Sequence, residues 1–128
     1  MISIRILSII NLKGGVGKTI SAVNMAYTLT RENFRVLLID NDKQGNASKF
    51  YGTHDYDKPS ISDVLTQQKV DLSNIIQHTE YERLDVIPAN RRSCAPIKRC
   101  CLILHANNKP GCRRLENNKS FLRLRSHR

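Results

Sequence analysis

Apolar residues fill positions 2–10 almost without a break: Ile2, Ile4, Ile6, Leu7, Ile9 and Ile10, with Arg5 in their midst. A run of that density predicts a strand buried on both faces. After a polar interval the period changes. Ala22, Met25, Ala26 and Leu29 recur at i, i+3, i+4 and i+7, which predicts a helix over residues 18–31 with those four side chains inward. Asn33 follows where a left-handed residue ends a helix. Val36, Leu37, Leu38 and Ile39 then form a second buried run that stops at Asp40. Strand, helix and strand in that order predict a right-handed crossover, a parallel pair and an α/β fold. Further on, residues 60–65 read as a short helix capped by Ser60 or Ser62, with Ile61, Val64 and Leu65 as its core face. Residues 84–90 read as another strand and its exit. From Ser93 onward neither helical nor alternating periodicity is present.

The interval between the first strand and the first helix reads Asn11-Leu12-Lys13-Gly14-Gly15-Val16-Gly17-Lys18-Thr19. Glycines there allow backbone N–H groups to turn inward around a polyphosphate, and the new helix adds the positive end of its dipole. Lys18 would reach the terminal phosphates and Thr19 would offer a hydroxyl to Mg2+. A glycine-rich turn with two solvated lysines is the plainer alternative, but it leaves the agreement of strand, loop and helix unexplained. The second strand ends in Asp40-Asn41-Asp42-Lys43-Gln44-Gly45-Asn46-Ala47-Ser48. Ligands of such sheets sit at the carboxyl ends of strands, so these carboxylates fall beside the glycine loop. There the two carboxylates, Asp40 and Asp42, could hold or orient Mg2+ and position a water for attack on a γ-phosphate. A turn with solvated acids is the alternative.

The common phosphate loop carries glycine where this chain has Leu12. Lys13-Gly14-Gly15-Val16-Gly17-Lys18-Thr19 is instead the deviant Walker A box, and it resembles the ParA/Soj/MinD class of P-loop ATPases. The Asp40–Ser48 stretch is similar to the switch I segment of ParA-like members, Asp-x-Asp-Pro-Gln-Gly-Asn. It departs from it at Lys43, where the family has proline. Ile20 is a further departure, standing where relatives carry a second threonine. Asn24 matches the family's Asn-Leu-Ala, and residues 87–90 resemble the strand end Ile-Pro-Ala-Asn. The resemblance implies a parallel-sheet P-loop NTPase fold over residues 1–90, with ATP and Mg2+ as ligands. It implies a cradle of Gly14, Gly15, Val16, Gly17, Lys18, Thr19 and Ile20, and metal contacts from Thr19 and Asp40. Lys13 would cross an ATP-dependent homodimer to the partner's phosphates, and Asp42 would support hydrolysis. Non-specific DNA and a ParB-like protein are the partners it implies.

Composition changes the picture in the last third of the chain. The net charge of +10 divides unevenly: residues 1–90 hold ten Lys and Arg against ten Asp and Glu, and residues 91–128 hold eleven against Glu116 alone. All four cysteines (Cys94, Cys100, Cys101, Cys112) also lie after Asn90. Their spacing, with His105, fits no common zinc pattern. An arginine-rich nucleic-acid arm fits the charge, although only Phe121 supplies an aromatic ring. No run approaches the length of a membrane span. The opening stretch lacks a small-residue cleavage site, so a cytoplasmic, reducing location is expected.

The family's continuation after Asn90, a helix and then the Walker B strand, is absent. Taking the last base of each codon with the first two of the next, from Ser93 to Cys112, the neighbouring frame can be read as LRADKKVLLDTARQQQTRL, which resembles that helix. The sequence thus predicts a truncated relative whose residues 91–128 are a basic, disordered or out-of-frame tail. Two function classes follow: a partitioning ATPase of plasmid or chromosome, and a non-catalytic fragment or nucleic-acid binder.

Overall fold

Alternation along one strand sets the layers. In β2 (Arg35–Asp40), Val36 and Leu38 face one side of the sheet, and Leu37 and Ile39 the other. The first side is covered by α1 (Lys18–Arg31) and α2 (Asn46–Phe50). Ala22, Val23, Ala26 and Ala47 pack there on Val36, Leu38 and, from β4 (Leu84–Ile87), Leu84 and Val86. The second side is covered by α3 (Ile61–Thr66) and the segment around Ile75, which meet Leu37, Ile39, Ile87 and Ala89. Each fully buried Leu or Ile contributes roughly 1.5–3 kcal/mol relative to exposure. This computed structural model describes residues 4–66 and 69–90 and the strand 100–106.

The α/β fold is as the sequence predicts, but the sheet is mixed. Its order is β1 (Ile4–Ile10), β5 (Cys100–Ala106), β2, β4, β3 (Gln77–His78). β2 and β4 pair in parallel, with Val36 opposite Leu84 and Ile39 opposite Ile87. β1 and β2 run parallel to each other, as the crossover requires, yet they are not neighbours. β5 lies between them, antiparallel to both, with Ile103 opposite Leu7 on one side and Leu38 on the other. The missing periodicity after Ser93 therefore does not preclude a strand. Cys100–Ala106 is short, and two open edges supply its backbone hydrogen bonds whatever its pattern. Cys94, Cys112, Phe121 and the rest of 91–99 and 107–128 lie outside the described residues.

β1 corrects a second expectation. It is an edge strand, with Ile6 58% and Ile10 61% exposed; only Ile9 packs on the core with α1. It has a strand on one side only, and the α3 layer reaches β2 and β4 but not β1 among the described residues. The inner face of α1 is Ala22, Val23 and Ala26, with Leu29 partly buried and Met25 exposed. Val23 takes the place expected of Met25. In α3, Ile61 is buried and Val64 packs beside it, but Leu65 is 56% exposed. Ser60 is the cap, since its Oγ accepts from Ser62 N at 3.3 Å and Asp63 Oδ2 accepts from Ser60 N at 2.8 Å. Ile61 N donates to Pro88 O at 2.8 Å, fixing α3 to the end of β4.

Candidate functional site

Asn11 begins the loop after β1 by accepting Lys13 N at Oδ1 (2.9 Å). The loop ends at Gly17, whose φ of 84° is left-handed and therefore open to glycine at little cost. Gly17 is the N-cap of α1, and no side chain caps the helix there. Its first-turn N–H groups thus lack both intrahelical and side-chain cap acceptors, which suits an anion. Lys18 folds back, its Nζ donating to Lys13 O at 2.9 Å. The main chain of Lys13 thereby holds the lysine head at the loop it would serve.

At the neighbouring strand end, Asp40 is fully buried. Its Oδ2 accepts from Ser48 N (2.9 Å) and Ser48 Oγ (2.7 Å), and its Oδ1 accepts from Asp42 N (3.1 Å). Burial pushes its carboxyl above the usual range, and the hydrogen bonds from Ser48 and Asp42 offset part of that rise. Ser48 Oγ also accepts from Ala89 N at 3.0 Å, so one hydroxyl ties the ends of β2 and β4 together. Asp42 folds its own turn, with Gln44 N donating to its Oδ1 (3.0 Å) and Gly45 N to its carbonyl (2.8 Å).

The two stretches meet in one cavity of about 400 Å³. Gly14, Gly15, Val16, Gly17, Lys18, Thr19 and Ile20 line it from the loop, and Asp42, Gln44 and Asn46 from the turn. Lys13 and Asp40 are not brought to its wall: the first contributes main chain, and the carboxylate of the second is turned to Ser48 and the Asp42 N–H. Asn24 bonds within its own helix, Nδ2 to Ile20 O at 2.8 Å. Gln44 and Asn46 were legible only as letters of a matched motif. Ser48 gave no signal beyond being a small polar residue following a buried acid. Thr19 from the loop and Asp42 from the turn both line the cavity and carry oxygen donors of the kind Mg2+ takes.

The helix that carries the loop is tied to the helix after the turn. Tyr51 Oη donates to Val23 O at 2.8 Å, and Tyr51 lies edge-on to Tyr81. Burial first, and then Tyr81, push its phenol up to about 12, so it remains a donor through ordinary pH. Tyr51→Phe should cost about 1 kcal/mol of stability in urea denaturation, the net worth of one such bond. Asp40 has a pH signature. Its folded pKa is raised, so its contribution is fully present below its unfolded value and is lost as pH rises through the folded one. Unfolding free energies of wild type and Asp40→Asn, measured from pH 3.5 to 7, should therefore differ progressively to the disadvantage of the wild type as pH rises. A constant difference would contradict the raised carboxyl.

A family model described as an AAA domain matches residues 4–99. The chain is 44% identical over 86 residues to the sporulation initiation inhibitor protein Soj of Bacillus subtilis, covering 66% of this chain and 34% of Soj. It is 42% identical over 88 residues to the chromosome partitioning protein ParA of Caulobacter vibrioides, covering 68% and 33%. Among solved structures, it resembles the cobyrinic acid a,c-diamide synthase of Mycobacterium smegmatis with bound ATP analogue and magnesium, at a TM-score of 0.56 and 38% identity, covering 63% and 33%. The chain thus spans about a third of the length of the curated relatives it matches. On the family match and these similarities, over about the first two thirds of its length, the chain belongs to the ParA/Soj/MinD family of P-loop ATPases.

Proposed function

We propose that the chain binds Mg2+-ATP in the cavity between the glycine loop and the 42–46 turn and acts as a partitioning ATPase. The observation that carries this is the convergence of Lys18, Thr19 and Asp42 on one 400 Å³ space beside an uncapped helix start. Lys18 exchanges the Lys13 carbonyl for the terminal phosphates. The N–H groups of residues 14–19 and the start of α1 hold the remaining phosphate charge. Thr19 would offer its hydroxyl to Mg2+, which when bound neutralises charge developing on the phosphoryl oxygens. Asp42, fixed by its own turn, orients the attacking water. Asp40 acts through its bonds to Ser48 and the Asp42 N–H.

By family likeness, ATP would close a homodimer in which Lys13 reaches the partner's phosphates. Non-specific DNA and a ParB-like activator would be the macromolecular partners, in the cytoplasm. Among the described residues no helix is long and apolar enough to cross a membrane. Asp42→Ala should lose on the order of 100-fold in single-turnover phosphate release at saturating Mg2+-ATP, the scale of one positioned proton-handling group. Equal turnover of the variant and wild type would refute the role given to Asp42.

A second reading concerns residues 91–128. Their eleven basic residues against one acid follow a balanced first part, and the relatives' alignments span 86–88 residues. We propose that this tail arose out of frame, after the family's sequence stops near Asn90. Sequencing the gene tests this: homologous coding in the adjacent frame supports it, and its absence refutes it.

A further inference from the structure

We propose that His54 is a positioning residue of the nucleotide site, a backstop that holds the 42–46 turn against the cavity; the inference rests on reading that cavity as the Mg2+-ATP site. Gly45 sits at φ +61°, and a Cβ placed on it would lie 2.6 Å from His54 Cδ2 and 3.0 Å from Nε2. The imidazole therefore occupies the space a side chain at 45 would take. On either side of Gly45 in the chain, Gln44 and Asn46 line the cavity with Asp42, whereas His54 does not. The turn is thus held between the cavity and the ring.

The ring is itself held. Thr53, just before it, donates from N and Oγ1 to Ser48 O at 2.9 and 3.1 Å, and Tyr56 meets His54 edge-on with centroids 4.7 Å apart. The far end of the same strap is caught where Asn90 Nδ2 donates to Lys58 O at 3.4 Å. Residues 53–58 are therefore pinned at one end to α2 and at the other to the exit of β4. Gly45 is held by its N–H to Asp42 O on one side and by α2 on the other, but as a glycine it has no side chain to narrow its own φ and ψ. A ring filling the space behind it removes the conformations that retreat from the cavity. His54 acts on Asp42, Gln44 and Asn46 in this way without touching the nucleotide.

Phosphate binding belongs to the glycine loop, and the placing of water to the turn, so loss of the ring should act on turnover rather than affinity. Mis-setting reacting groups by about 1 Å costs up to roughly 100-fold in rate. His54→Ala should accordingly slow single-turnover phosphate release by about tenfold, with Mg2+-ATP affinity by calorimetry held within about threefold. His54→Phe, which keeps a ring, should restore most of the rate. In wild type, the His54 ring resonances, assigned from their loss in His54→Phe, should shift when Mg2+ and a non-hydrolysable ATP analogue are added.

Wild-type turnover in His54→Ala would overturn the proposal. So would parallel losses of affinity and rate in both variants, or analogue binding that leaves the His54 resonances unmoved. If His54→Ala does not fold, the phenylalanine variant and the wild-type spectrum decide the matter. A wild-type chain that binds no Mg2+-ATP would instead refute the nucleotide reading itself, and this inference with it.

Discussion

Ser48→Ala is expected to lower the unfolding free energy by on the order of 3 kcal/mol, far more than the removal of one hydroxyl from a surface. Ser48 is fully buried, and its Oγ both donates to the Asp40 carboxylate and accepts from Ala89 N. Its loss leaves a buried acid short of its closest partner and a buried N–H without that acceptor. An uncompensated buried polar group costs about 1–3 kcal/mol, and more where charge is involved. Domains of this size are stable by only about 5–15 kcal/mol, so the effect would show as a large fall in the urea midpoint at unchanged slope. The site should suffer as well, since Asp40 also accepts Asp42 N. A change of less than about 1 kcal/mol would mean that water or a rearranged chain replaces the hydroxyl.

Gly45→Ala should be comparably severe, at about 2–4 kcal/mol, for a different reason. A left-handed conformation costs an L-residue about 1–2 kcal/mol, and overpacking adds about 1–3 kcal/mol. The new methyl meets the His54 ring at 2.6 Å and Ala89 O at 3.2 Å. The ring can be removed and the carbonyl cannot, which separates the two parts. Gly45→Ala in a His54→Ala background should recover about 1–2 kcal/mol of the loss, and the remainder should persist. Strict additivity of the two substitutions would mean that residues 45 and 54 do not press on one another.

Much of the central fold could be read directly from the residues, because its signals are local. The helix over 18–31, the strand ending at Asp40, the left-handed Asn33 (φ 64°) and a serine cap at 60 or 62 all follow from periodicity and terminal residues; the structure picks Ser60. What could not be read depends on neighbours. The exposure of β1 follows from its place at the sheet edge, and an apolar run looks the same at an edge as in the middle. The strand at 100–106 takes its structure from two edges far away in sequence. Val23 rather than Met25 is buried because the two lie on opposite flanks of the Ala22 and Ala26 face, and periodicity alone does not say which flank is covered.

The site divides in the same way. The glycine loop and Asp42 read as site residues from motif and order, and both line one cavity. Asp40 looked like a metal ligand because a carboxylate at a strand end usually faces the ligand crevice. In the structure its Oδ2 accepts from Ser48, eight residues later, and nothing in the sequence specified that contact. His54 carried no motif at all. Its place behind Gly45 exists only once α2 has reversed the chain.

The measurement that tests the central claim most directly is a thermal unfolding series of the full chain with Mg2+-ATP, beside a Lys18→Ala control. Saturating ligand at about 100 times its dissociation constant contributes about 2.7 kcal/mol, which in a small domain raises the midpoint on the order of 10 °C. The account predicts that rise in wild type and its loss in Lys18→Ala, whose midpoint without nucleotide should stay close to wild type because Lys18 Nζ is bonded only at the exposed Lys13 carbonyl among the described residues. Equal shifts in both proteins, or none in a wild type that unfolds cooperatively, would contradict it.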